Sequence, residues 1–193
     1  MSSISSVAPR TLADVIPGGL VRNIALVVGG AGFVGLTAQL AIPLPFTPVP
    51  LSLQTFSVLL TAAVLGSTRG LLSMGLYVVA GMAGVPWFAQ QNSGWSFASF
   101  GYVLGFLLAA LLVGKLAERG ADRTPLRAAG LMALGNVAIY AVGVPGLMLF
   151  AGVPFGKAIA IGVVPFLIGD AIKIAVAAGL LPATWKLVNS RAK

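Results

Sequence analysis

Asp170 and Lys173 are the two residues of this sequence best placed to do chemistry. Both lie inside the apolar run Val163-Val-Pro-Phe-Leu-Ile-Gly-Asp-Ala-Ile-Lys-Ile-Ala-Val176. A spacing of three puts them on one face of a helix. Ionisable groups in such a setting cost several kcal/mol unless they pair or face water, so a functional site is the first hypothesis. A mutual salt bridge that only locks the bundle is the competing one. The carboxylate accepts N–H donors and the ammonium donates to carbonyl or carboxylate oxygens. The pair therefore suits a polar ligand that carries donors and acceptors side by side. Pro165, five residues before Asp170, can kink the segment and open a cavity there.

Other polar side chains are candidates for the same cavity. Gln54 follows the proline-rich stretch Pro43-Leu-Pro-Phe-Thr-Pro-Val-Pro50, and its amide both donates and accepts. Asn136 and Tyr140 stand four apart on one apolar block and Tyr102 enters another. Gln91 and Asn92, with Gln90, lie between Trp87 and Trp95 and could form a lid over a ring-containing solute. Helix–helix hydrogen bonding, or simple anchoring of aromatics at the membrane interface, would also explain these residues.

The elements that must hold them are membrane helices. Of 193 residues, 58% are hydrophobic and 8% charged, against roughly 25% charged in a soluble domain. Six apolar blocks, about Leu20–Ile42, Leu51–Gly66, Leu71–Val85, Phe97–Ala117, Ala128–Phe150 and Ala158–Val188, predict an all-α integral membrane protein. The second and third are short for a bilayer. One membrane domain covers residues 1–193, with an N-terminal segment 1–19, six transmembrane helices within about 20–188 and a short basic tail. The first sixteen residues do not read as a secretory signal.

With both termini cytoplasmic, the inner side holds 10 of the 12 Lys and Arg, leaving Lys157 outside and Lys173 within the membrane. The loops on the outer side are rich in Pro, Gly, Trp and amides, and such backbone persists near a membrane only when covered by protein or lining a wet cavity. The ligand cavity is therefore expected at the outer end. Basic residues set between apolar blocks argue against nucleic-acid binding.

Several chemistries find no support. There is no phosphate loop of the G-x-x-x-x-G-K-[ST] type, and Gly29-Gly-Ala-Gly-Phe-Val-Gly35 sits in an apolar span without a preceding strand. Cysteine and histidine are absent, which removes thiol and histidine-dependent metal chemistry. Asp14, Glu118 and Asp122 are peripheral, so an acid–base enzyme would rest on Asp170 and Lys173 alone. The expectation is a binding protein, not an enzyme, without a cofactor. An ion-coupled secondary transporter using Asp170 as a proton-linked site is the alternative.

Three segments carry a family resemblance: Pro48-Val-Pro-Leu-Ser-Leu-Gln-Thr-Phe56, Gly101-Tyr-Val-Leu-Gly-Phe106 followed by Leu116-Ala-Glu-Arg119, and Gly162-Val-Val-Pro-Phe-Leu-Ile-Gly-Asp-Ala-Ile-Lys173. In this order they resemble BioY, the biotin-specific substrate-binding S component of energy-coupling-factor (ECF) transporters. The resemblance implies a six-helix S-component fold in a prokaryotic plasma membrane that captures biotin from outside. It places Asp170 and Lys173 in the binding site. It also implies partners, a transmembrane T component and two cytoplasmic ATP-binding subunits, with Ala25 and Gly29 of the first helix as candidates for the T-component interface. Before the fourth helix the chain departs from the family's Thr-Gly-Gly-like pattern, having Phe97-Ala-Ser-Phe-Gly-Tyr102, and only Gly101 and Tyr102 match.

Overall fold

The computed structural model describes residues 10–191. Met1–Pro9 of the N-terminal segment and Ala192–Lys193 of the basic tail lie outside the described residues. The described residues form seven α-helices and one β-hairpin: α1 (Leu20–Ala38), β1 (Ala41–Leu44), β2 (Thr47–Ser52), α2 (Gln54–Leu65), α3 (Ser67–Met82), α4 (Phe100–Glu118), α5 (Pro125–Ala151), α6 (Phe155–Gly162) and α7 (Leu167–Arg191). Short 3₁₀ turns precede α1, join α3 to α4, and connect α6 to α7.

Among the described residues, four segments are long and apolar enough to cross a membrane: Leu20–Ala38, Phe100–Glu118, Pro125–Ala151 and the broken run Phe155–Ser190. With 12 and 16 residues, α2 and α3 span about 18 and 24 Å by the helical rise. Six blocks thus become six helical passes, the sixth built from α6 and α7 around Pro165.

Residue types explain where the helices stop and start. Pro125 opens α5 at its first turn and Gly152, left-handed at φ 64°, closes it. Between α2 and α3 there is only Gly66, with φ 83°. At that junction a Cβ would sit 2.8 Å from Glu118 Oε1 and 3.0 Å from Thr11 Cγ2. Glu118 in turn accepts from the Ser67 N–H at 2.6 Å and the Ser67 hydroxyl at 2.8 Å, and so caps α3.

Two corrections concern the blocks. The stretch after α1 is not a covered loop but an antiparallel hairpin, pairing Ala41 with Ser52, Ile42 with Leu51 and Leu44 with Thr47. Prolines 43, 48 and 50 fit because both strands of a two-stranded sheet are edges. Block two therefore begins as strand, and Gln54, three residues into that block, is the first residue of α2.

The core lies around α4, which packs against α2, α3 and α5. Glycines allow the approach: a Cβ on Gly101 would lie 2.6 Å from Gly146 Cα, and one on Gly114 would lie 2.4 Å from the Ser67 nitrogen. The carboxylates that read as peripheral all bind this framework. Asp14 pairs with Arg69 at 2.5 Å and accepts from Thr11, fastening the segment before α1 to the α2–α3 turn. Asp122 is fully buried and accepts from Trp185 Nε1 at 2.6 Å, tying the α4–α5 turn to α7.

Candidate functional site

A cavity opens between the hairpin, the start of α2, the α3–α4 connection and the middle of the bundle. Of the nine candidate site residues, Gln54, Tyr102, Tyr140, Asp170 and Lys173 line it. Apolar walls come from Val49, Pro50, Phe97, Val103, Phe106 and Phe166. The free volume is about 50 Å³, on the order of one or two waters.

Asp170 stands in the first turn of α7 and is 5% exposed. Its Oδ1 faces Lys173 Nζ at 3.4 Å, and its Oδ2 accepts from the Tyr140 hydroxyl. Lys173 also donates to Thr55 Oγ1 at 2.9 Å. The ion pair is therefore made, yet it is not isolated inside the bundle, because all four of these residues border the cavity. A carboxylate at a helix N-terminus is favoured by the helix dipole.

Gln54 anchors a second network. Its Nε2 donates to the Tyr77 hydroxyl at 2.8 Å, which donates to the Trp87 carbonyl at 3.0 Å, while Trp87 Nε1 returns a bond to the Tyr77 carbonyl at 2.9 Å. Tyr102 donates to the Gly162 carbonyl at 2.9 Å and meets Tyr140 edge-on at 6.3 Å.

The structure does not bring the remaining four candidates to the cavity. Trp87 is engaged with Tyr77 behind it, their rings 5.1 Å apart. Gln91 sits in the α3–α4 connection in a left-handed conformation, φ 57°, next to Gln90 at φ 62°. Asn92 donates to the Ala89 carbonyl at 2.9 Å and lines a separate open depression with Trp95. Asn136 borders a small crevice beneath Lys173, together with Met132 and Ile174. The part of this connection that reaches the cavity is Ala89, Phe97 and Ser99.

Thr55 and Tyr77 are the polar partners that sequence reasoning missed. Thr55 adjoins Gln54 in the quoted motif, and Tyr77 is a phenol in an apolar block, which on burial needs a hydrogen-bond partner. Either feature could have flagged them.

A helical bundle with several apolar spans and a buried charged pair at the edge of a cavity is a multi-pass membrane protein built around a small polar site. Its fold matches the crystal structure of the S-component for biotin from an ECF-type ABC transporter, with a TM-score of 0.76 and 23% identity over 86% of this chain and 92% of that one. The model of the BioY family matches residues 6–190, so the chain belongs to the BioY family. The biotin transporter BioY of Thermotoga maritima is 41% identical over 140 residues, 71% of this chain and 81% of that protein. The biotin transporter BioY of Rhodobacter capsulatus is 35% identical over 185 residues, covering 84% and 92%. The probable biotin transporter BioY of Pyrococcus horikoshii is 37% identical over 149 residues, covering 75% and 86%. The family and fold that the motifs implied are those the comparisons find.

Proposed function

We propose that this chain captures biotin at the cavity beside Asp170 and Lys173, as the membrane-embedded substrate-binding subunit of an ECF-type uptake transporter. Membership of the BioY family and the biotin transporters among its relatives support the substrate. The observation that carries the reading is the network Tyr140–Asp170–Lys173–Thr55 at the cavity edge. Biotin's ureido ring offers two N–H donors beside a strong carbonyl acceptor. A carboxylate and an ammonium a few ångströms apart match that pattern, and Lys173 can serve either the ureido oxygen or the tail carboxylate.

The chain sits in the plasma membrane of a prokaryote with the hairpin facing out and the Gly66 and Arg119–Thr124 turns facing the cytoplasm, as the distribution of basic residues favours. Its role is binding and transport, with energy supplied by a T component and two ATP-binding subunits. Ala25 and Gly29 border an apolar lateral groove with Leu60, Thr61 and Val64. That groove suits the close approach of a T-component helix. The whole of residues 1–193 acts as one membrane domain.

Calorimetry on the purified chain in detergent tests the proposal. Biotin is expected to bind with a submicromolar or tighter Kd, corresponding to about 8–12 kcal/mol. Asp170→Asn is expected to weaken binding about tenfold or more, because it changes a charge-assisted acceptor, while Asp122→Asn leaves it near wild type. No biotin heat, or equal losses in the two variants, would reject the assignment.

A further inference from the structure

The residues that contact a ligand are useful only if α7 starts in the right place. The break between α6 and α7 sets that start, and it leaves two backbone carbonyls in need of partners. Pro165 has no N–H to give to the carbonyl of Ile161, four residues back. The Phe166 N–H turns to Val163 at 3.0 Å, in the tighter 3₁₀ pattern. Gly162, four residues before Phe166, therefore loses its helical donor as well. Buried carbonyls without partners are costly, and such groups are nearly always satisfied.

Both receive a hydroxyl from a distant element. Thr47 of β2 donates to the Ile161 carbonyl at 2.7 Å, and Tyr102 of α4 donates to the Gly162 carbonyl at 2.9 Å. Thr47 is 8% exposed and Tyr102 6%. The fit at the break is close: a Cβ on Gly162 would fall 2.3 Å from the Tyr102 hydroxyl oxygen and 2.7 Å from Leu147. Leu51 of β2 lies against the first turn of α7 at Gly169. From this break Asp170 is reached in the first turn of α7, and Lys173 one turn later.

The geometry points to Thr47 and Tyr102 as positioning residues for biotin capture: by satisfying the two carbonyls freed at Pro165, they fix where α7 begins and so where Asp170 and Lys173 stand. Tyr102 thus acts chiefly through the helix break, although its ring also lines the cavity. This inference rests on the biotin-binding reading above, and its test has one arm that needs no ligand.

In the ligand-free arm, amide hydrogen exchange is followed over Leu167–Asp170 in the full chain in detergent. Thr47→Val and Tyr102→Phe, which remove only the donating groups, are expected to speed exchange there, and Thr47→Ser to restore the wild-type rate. In the second arm, biotin titrations are expected to show each deletion weakening binding roughly three- to tenfold, on the order of one lost hydrogen bond. Thr47→Ser again rescues. In an Asp170→Asn background the same deletions are expected to cost less than about twofold, since their effect runs through Asp170.

Unchanged exchange in both deletion variants overturns the inference. So does a Thr47→Ser variant that behaves like Thr47→Val. A Tyr102→Phe penalty that persists in full in the Asp170→Asn background makes Tyr102 a direct ligand contact and removes it from this role. If the wild-type chain gives no biotin heat, the functional reading fails, and the exchange arm still decides whether the two hydroxyls set the start of α7.

Discussion

Two carboxylates in the segments that flank the long helices answer pH in opposite directions. Burial pushes the Asp122 carboxyl above its ordinary value, partly opposed by the Trp185 hydrogen bond and by the Arg123 charge. In the folded chain it therefore keeps its proton to higher pH than in the unfolded one. Its contribution to stability is greatest below the unfolded value of about 3.9 and declines as pH rises through the raised folded value. Burial acts the same way on Asp14, but hydrogen bonds from Arg69 and Thr11 outweigh it and hold that carboxyl below its ordinary value. Asp14 thus stabilises above about pH 3.9 and loses that contribution as pH falls through the depressed value. Asp122→Asn keeps an acceptor for Trp185 and removes the charge. Thermal unfolding in detergent is expected to show the variant gaining on wild type from acid toward neutral pH and then levelling off. A relative loss over that range would show that Asp122 is held as a needed anion.

At the scale of elements, packing is governed by a few glycines with opposite surroundings. Gly101 meets Gly146 backbone to backbone, whereas nothing lies within 4 Å of a Cβ added at Gly29. Gly101→Leu is expected to separate α4 from α5 and lower the melting temperature by several degrees, since overpacking typically costs about 1–3 kcal/mol. Gly29→Leu is expected to leave melting near wild type and to reduce co-purification with the proposed T-component partner. If Gly29→Leu instead destabilises the isolated chain, α1 packs internally at that face. Helix positions were largely legible from the apolar blocks, because membrane spans advertise themselves by length and composition. The hairpin was not: four prolines in eight residues, Pro43 to Pro50, read as irregular chain, and only the pairing of β1 with β2 makes three of them edge positions and leaves Pro45 in the turn. The Asp170–Lys173 pair was legible because charge is rare in such a segment. Thr55, Thr47 and Tyr77 were not, because hydroxyls are cheap anywhere in a helical membrane protein and their value lies in partners distant in sequence. The amides Gln91 and Asn92 misled for the complementary reason: a polar loop side chain can satisfy its own backbone, as Asn92 does at Ala89.

For the whole molecule, the hairpin and the α3–α4 connection are both fastened to the bundle. Thr47 holds the first to α6, and aromatic contacts hold the second, with Phe88 fully buried between Tyr77 at 5.2 Å and Phe97 at 5.6 Å. Between them remains about 50 Å³, well short of the roughly 300 Å³ or more of a small-molecule pocket. A bicyclic vitamin is larger than that space, so its entry is expected to displace one of these covers. That has a consequence in time as well as in space. Where capture waits for one cover to shift, association is expected to fall below the encounter limit. Rapid mixing followed by the emission of Trp87 and Trp95 is expected to show an observed rate that climbs with biotin concentration and then reaches a ceiling, the opening rate itself. A strictly proportional climb at diffusional speed would mean that the covers part faster than solute arrives. With a ceiling, the same covers also slow escape, so that a solute captured from dilute solution stays bound far longer than an encounter lasts.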